Sequence, residues 1–352
     1  MKKIPVICFA VLMLTACGNT SGDGTFAFAK ASSVTTAPAE TFTETETVTA
    51  PLTETVTTTA AETTTTAAET TAITAETTTA TAAPEPAPAG EIDYPYCTAY
   101  ALYNADTGEY IAEKGLDERI SIASTTKLLT ASLALRYLDP EDVITVGEEV
   151  RRAQPDSTLS YLLPYTEISV YDLLAGMLLP SGNDAAYTVA VNTARAAAGN
   201  ESLSDDEAVA YFVELMNGFG AELGMENSRF ANPEGWDDPG HYSTLRDMIK
   251  LAGYAAADPT LSEITSTYQR EFYSDVSGDL WWTNTNLFLD PYSAYYREDC
   301  TGIKTGTTSD AGCCLIAEFH IGDTDYICAV MGCEENEQRY ELVNEILAAY
   351  LP

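Results

Sequence analysis

Hydrophobic positions are spread unevenly along the 352 residues, and the pattern changes character at about residue 91. Residues 19–90 hold almost no large apolar side chains beyond Phe26, Phe28, Phe42 and a few scattered aliphatics, with no helical or strand period. Such a stretch cannot bury a core. From Tyr96 the pattern becomes informative. Tyr96 to Tyr103 reads as a strand, Asn104 to Gly108 as a turn and Glu109 to Glu113 as a second strand. A helix is predicted from about Thr125 to Leu138. Leu128, Leu129, Ala131, Leu133, Ala134 and Leu135 cover most of its circumference, which marks a central, buried helix. Further helices are predicted at about 169–179, 184–198, 205–223 and 244–257. Alternation returns near the end. Gly302 to Thr308 reads as a strand, Cys314 to Ile321 and Tyr326 to Met331 as a hairpin around Gly322-Asp323, and Arg339 to Tyr350 as a final amphipathic helix. Strands at both ends with helices between predict a mixed α/β fold. Its antiparallel sheet is built from both termini and flanked by helices, with an all-helical lobe inserted.

The polar half has an order of its own. Lys2 and Lys3 precede an apolar run from Ile4 to Leu14, followed by Leu14-Thr15-Ala16-Cys17. The run is short for a membrane span and reads as an export signal, and the small residues before Cys17 resemble a bacterial lipobox. The expected organisation is a signal over 1–17 ending at a lipidated Cys17, a Thr/Ala/Glu/Pro-rich linker over 18–90, and a catalytic domain over 91–352. The expected location is the outer face of the cell membrane. About 72 flexible residues give a reach of roughly 45–50 Å, so the linker would act as a spacer.

Charge excludes one class of partner. Residues 91–352 carry 14 basic and 44 acidic residues, a net of −30, so the folded part cannot neutralise phosphates and no nucleic-acid partner is expected. Metal chemistry is not expected either. The six cysteines of the folded part (Cys97, Cys300, Cys313, Cys314, Cys328, Cys333) form no C-x2-C pair, and there are two histidines, His241 and His320. Adjacent Cys313 and Cys314 should point to opposite faces of a strand, and a mixture of buried thiols and bridges is expected.

Three short motifs carry the chemistry. In Ser124-Thr125-Thr126-Lys127 a serine opens the central helix and a lysine lies one turn on, on the same face. A serine hydroxyl needs a base, and a lysine serves only if burial lowers its affinity for protons. The helix N-terminus adds N–H groups suited to an oxyanion. In Ser181-Gly182-Asn183, Ser181 would relay a proton to a leaving amine, and Asn183 would hold Lys127 and a substrate amide. The plainer reading of Asn183 is a helix N-cap. In Lys304-Thr305-Gly306, Lys304 and Thr305 would bind a substrate carboxylate, and Gly306 would let another backbone lie close to the strand.

Together, in this order and context, S-x-x-K, S-x-N and K-T-G are the set shared by penicillin-binding proteins and class A β-lactamases. Residues 96–350 resemble the low-molecular-mass D-alanyl-D-alanine carboxypeptidases, serine peptidase family S11. The likeness extends over Ala123 to Thr130, Leu179 to Ala186, Asn232-Pro233-Glu234-Gly235, His241 to Thr244 with Asp247 (where Thr244 and Asp247 look like a capping box), and Asn284 to Asn286. It implies a β-lactamase/transpeptidase-like fold and an acyl-enzyme on Ser124. It implies an oxyanion hole from the backbone N–H groups of Ser124 and Thr307, and an assisting Arg339. Peptidoglycan stem peptides would be substrates and β-lactams covalent inhibitors, with no cofactor. The family usually has His where Glu234 stands and Leu at Trp236, departures that bear on specificity more than on mechanism. A class A β-lactamase is the alternative enzyme. The general-base glutamate it needs has its nearest candidate at Glu214, inside a predicted helix. A non-catalytic wall-binding protein on the same fold is the alternative of another class.

Overall fold

A computed structural model describes Ile92 and residues 94–352. The export signal, Cys17 and the linker expected over 18–90 lie outside the described residues. The described part is mixed α/β, as expected. Strands β1 (Ala99–Asn104), β2 (Glu109–Lys114), β7 (Cys300–Thr308), β8 (Gly312–Ile321) and β9 (Thr324–Cys333) form one antiparallel sheet in the order β2-β1-β9-β8-β7. The first two strands and the last three come from opposite ends of the folded chain. Between them lie α1 (Lys127–Ala134), α2 (Val170–Leu178), α3 (Asn183–Ala198), α4 (Asp205–Glu222), α5 (Leu245–Ala256) and α6 (Pro259–Ser266). The last helix is α7 (Asn336–Tyr350).

The period-2 alternation of the strands sorts side chains into two cores. Ala99, Ala101, Cys314, Ile316, Ile327, Ala329 and Met331 face the core shared with α1–α6. Tyr100, Leu102, Cys313, Leu315, Phe319, Cys328 and Val330 face the smaller core under α7. Cys313 and Cys314 thus point to opposite faces, as the alternation requires. One disulfide, Cys97–Cys333, ties the residue just before β1 to the end of β9, closing a loop of sequence separation 236. By a chain-entropy argument this contributes roughly 5 kcal/mol. Cys300, Cys313, Cys314 and Cys328 are buried thiols. Burial pushes Cys300 up to about 12 and Cys314 up to about 11, so neither is a thiolate at neutral pH.

Two expectations about helices are corrected. The predicted helix over 125–138 is an α-helix only from Lys127 to Ala134. A 3-10 turn, Ala123–Thr126, precedes it, and 3-10-type bonds (Arg136 N–H to Leu133, Tyr137 N–H to Ala134) close its far end. Ser124 therefore sits in a tight turn ahead of the helix. The capping box expected at Thr244 is half present. Thr244 accepts from the Asp247 N–H at 3.3 Å, but the Asp247 carboxylate turns to the Asn227 N–H and the Ser228 hydroxyl. A hairpin, β5 (Gln269–Ser274) with β6 (Gly278–Thr283), a short pair, β3 (Val143–Thr145) with β4 (Glu167–Ser169), and α6 add to the expected elements.

Candidate active site

The site forms where the start of α1, the start of α3 and strand β7 converge. Lys127 is fully buried at 0 % exposure, and its Nζ has three oxygen neighbours: Ser124 Oγ at 2.9 Å, Asn183 Oδ1 at 2.6 Å and the Glu234 main-chain oxygen at 2.7 Å. Two of these are carbonyl oxygens, which only accept. A neutral amine has two N–H bonds and one lone pair. With both N–H bonds directed at Asn183 and Glu234, the lone pair is left for the Ser124 hydroxyl proton. Burial, the dominant cause, lowers the Lys127 amine from its ordinary value to about 7, while Glu234 and Asp184 oppose the shift. The side chains that hold Lys127 thus also orient it as a base.

Asn183 reaches Lys127 because of how α3 begins. The N-cap is Gly182, without a side-chain cap, so Asn183 is the first helical residue and its amide is free to turn to Lys127. This replaces the N-cap reading of Asn183. Ser181 is buried in a left-handed backbone conformation (φ 65°), and its carbonyl accepts from the Thr158 hydroxyl at 2.7 Å. Ala123, just before the nucleophile candidate, is also left-handed (φ 47°). Both are non-glycine residues in a costly region, and both flank residues of the site. The adjoining loop is pinned by Asp184, whose carboxylate accepts from the Ser160 N–H and hydroxyl (2.8 Å each) and the Leu162 N–H (3.1 Å).

Strand β7 closes the other side. A Cβ on Gly306 would lie 2.9 Å from Ser124 N, closer than real side chains approach, and 3.1 Å from Thr125 N, a tight contact. The backbone that needs room beside this glycine is therefore the protein's own. Gly306→Ala is expected to cost about 1–3 kcal/mol by overpacking, read as a lowered Tm, and to slow acylation by displacing Ser124. A variant with unchanged Tm and rate would show that the contact is slack. Gly235 also packs against this turn. At φ 90° its Cβ would meet Ala123 O at 1.9 Å.

Ser124, Asn183, Glu234 and Thr307 line one cavity of about 290 Å³, together with Asp156, Ser157, Thr158, Gly235, Trp236, Asp237, Thr308 and Ser309. Ser124 and Thr307 thus share that wall from facing segments. Lys304 and Thr305 lie on the same strand and are buried. The Lys304 amine donates to Thr305 O at 3.0 Å and is held well below its ordinary value by burial and then by Lys127 and Arg339. The Thr305 hydroxyl contacts that of Thr285 at 2.6 Å. Arg339 is buried behind the strand, and its Nη1 donates to Cys314 O (3.0 Å) and Gly306 O (3.3 Å), so it braces the β7–β8 backbone.

Three contributors were given no role in the site by the sequence. The Glu234 carbonyl acts through its main chain. Asp237 ties the Ser121 hydroxyl (3.3 Å) to the Asp310 N–H (3.2 Å) across the cavity rim. His241 accepts from the Ala231 N–H on Nδ1 at 3.1 Å, which leaves Nε2–H to donate to the Thr126 hydroxyl at 2.8 Å. Burial lowers this imidazole to about 4, so it is a neutral brace beneath the nucleophile turn.

The fold brings a serine, a buried lysine and an asparagine from three segments to one place, the arrangement of the three motifs shared by penicillin-binding proteins and class A β-lactamases. The profile of the D-alanyl-D-alanine carboxypeptidase family, peptidase S11, matches residues 87–335, and the chain belongs to this family. It is 30 % identical over 250 residues to the D-alanyl-D-alanine carboxypeptidase DacF of Bacillus subtilis, covering 70 % of this chain and 60 % of the relative. It is 31 % identical over 258 residues to DacC of Escherichia coli, covering 71 % and 60 %. The chain thus spans about 60 % of the length of these relatives. Among solved structures it is similar to the Streptomyces K15 DD-transpeptidase, with a TM-score of 0.65, 26 % identity, and 72 % of this chain and 96 % of that one covered.

Proposed function

We propose that this chain is itself a serine D-alanyl-D-alanine carboxypeptidase, removing the terminal D-Ala from peptidoglycan stem pentapeptides. The observation that carries the reading is the Lys127 amine, buried and aimed at Ser124 by two carbonyl acceptors. Ser124 Oγ attacks the carbonyl carbon of the penultimate D-Ala as its proton passes to Lys127. The oxyanion is received by the N–H groups of Ser124 and Thr307. Ser181 relays the proton to the leaving amine as the C–N bond breaks. Lys304 and Thr305 hold the terminal carboxylate, which would restore the charge that burial disfavours on the amine. Water, activated by Lys127 and Ser181, then releases the shortened peptide. Penicillins acylate the same serine. The chain would work outside the cell, carried by a lipid on Cys17 with residues 18–90 as spacer.

Incubation with a pentapeptide ending in D-Ala-D-Ala, followed by mass spectrometry, should give the tetrapeptide. Benzylpenicillin should give a one-to-one adduct on Ser124 that is slow to clear. The absence of both would leave a non-catalytic wall-binding protein, and rapid multiple turnover of penicillin would make the chain a β-lactamase. A free amine offered as acceptor distinguishes a transpeptidase, which would transfer the acyl group to the amine at the expense of hydrolysis.

A further inference from the structure

Glu234 is 2 % exposed, and so far only its main chain has a role. A buried carboxylate is costly without partners. Its Oε1 accepts from the Tyr187 hydroxyl at 3.0 Å, and its Oε2 has no hydrogen-bond partner among the described residues. Tyr187 lies four residues after Asn183 in α3, so both reach toward α1 from one helix face. The Lys127 amine sits 2.7 Å from the main-chain oxygen of this same glutamate, and among the described residues no cation, Lys127 included, lies within 4.0 Å of the carboxyl oxygens.

We propose that the Glu234 carboxylate is a third member of the nucleophile assembly, the charge that stabilises the Lys127 ammonium formed when Ser124 gives up its proton, with Tyr187 fixing it in place. The proposal rests on the reading of Ser124 as nucleophile and Lys127 as base. In the acylation step the Ser124 O–H bond breaks as the Oγ–C bond forms, and a third N–H bond forms on Lys127. The new ammonium and the standing carboxylate make a buried pair of zero net charge. The proton then leaves with the amine as the C–N bond breaks, returning Lys127 to its neutral form.

The other charged groups around Lys127 are less suited to this part. From α3, Asp184 also favours the ammonium, but both of its oxygens are engaged by Ser160, Leu162 and Ala185. From β7 and α7, Lys304 and Arg339 are basic. Beneath the nucleophile turn, His241 is neutral. From outside, Arg152 is paired with Asp206 and acts electrostatically on Tyr187. Glu234 is the acidic group near the base that is left undersaturated. Burial, the dominant cause, raises the Glu234 carboxyl above its ordinary value, and Lys127 and then the Tyr187 hydrogen bond oppose that shift by favouring the ionised form. Glu234 is thus a positioning and tuning residue that acts through Lys127.

The test is the pH profile of second-order acylation by benzylpenicillin in the full chain and in Glu234→Gln, Glu234→Asp, Glu234→His and Tyr187→Phe, with Tm measured for each. Loss of the carboxylate lowers the affinity of Lys127 for its proton. The acidic limb of the Gln variant should therefore move to lower pH by about 1–3 units, while its plateau falls roughly tenfold or more because the base is weaker. The His variant carries the neutral residue usual in the family, and it should shift the limb the same way even if the Gln variant folds poorly. Asp should keep the limb near wild type, and Tyr187→Phe should give a smaller shift. A wild-type chain that forms no adduct overturns the reading of Ser124 and this proposal with it. A wild-type profile on which the Gln and His limbs superimpose, or an Asp variant that behaves as Gln does, overturns the role of Glu234 alone.

Discussion

Replacing Ser124 with alanine is expected to abolish both the penicillin adduct and release of D-Ala while leaving the fold intact. The side chain is small, and it sits in a turn whose shape is set by others. Ala123 is left-handed, Gly306 and Gly235 both pack closely on the backbone, and the Thr126 hydroxyl bonds to both Ala123 O and His241. None of these contacts uses Ser124 Oγ, so its removal deletes the bond-forming atom and leaves the frame. Intact-mass spectrometry after exposure to penicillin checks this, with a thermal melt as control for folding. A stable penicilloyl adduct on the alanine variant would place the nucleophile elsewhere.

The second large effect belongs to Lys127. Acylation needs its neutral amine, and burial lowers that amine to about 7. A lysine with a lowered value is charged below it and neutral above it. The acylation rate should therefore rise as pH increases through about 7 and fall away in acid. Lys127→Arg keeps a positive charge but cannot deprotonate in a protein. The rate should drop by at least the roughly 10²–10⁴ typical of lost general-base catalysis, and the acidic limb should disappear. An arginine variant that acylates at a near wild-type rate, or that keeps the limb, would exclude lysine as the base.

The parts of this protein legible in its sequence are those governed by local periodicity. Alternation placed β1, β2 and the last three strands, and capping and helical spacing placed α2 to α5 to within a residue or two. Glu214 lies inside α4, as its spacing indicated. The β5–β6 hairpin was not legible because it is half exposed on one face, with Glu271, Tyr273 and Trp281 outward, so its alternation does not separate apolar from polar residues. The short form of α1 escaped notice because an apolar run looks the same in an α-helix as in the 3-10 turns at its ends.

Within the site, Ser124, Lys127 and Asn183 could be brought together from motif order alone, since each sits at an element boundary. Contacts made through main-chain atoms have no such signature. The Glu234 carbonyl on Lys127 is the clearest case. In the sequence Glu234 stood out only as a departure from the family's usual histidine, with consequences expected for specificity. The structure puts its main-chain carbonyl against the base and its carboxyl against Tyr187. The partnership of Tyr187 with Glu234 depends on the path of the 231–237 loop, which no periodicity encodes.

The Cys97–Cys333 bridge also has a mechanical meaning. Cys97 lies between the long N-terminal segment and β1, and Cys333 closes β9, which pairs with both β1 and β8. A pull on the chain ahead of Tyr94 would otherwise act first on β1, whose hydrogen bonds to β9 would open one after another like a zipper. The covalent link passes that load directly into Cys333 at the end of β9, so the β1–β9 bonds are shielded from it while the bridge is intact. Reduction of this one bond would remove that shield and leave β1 to peel stepwise from β9 under load.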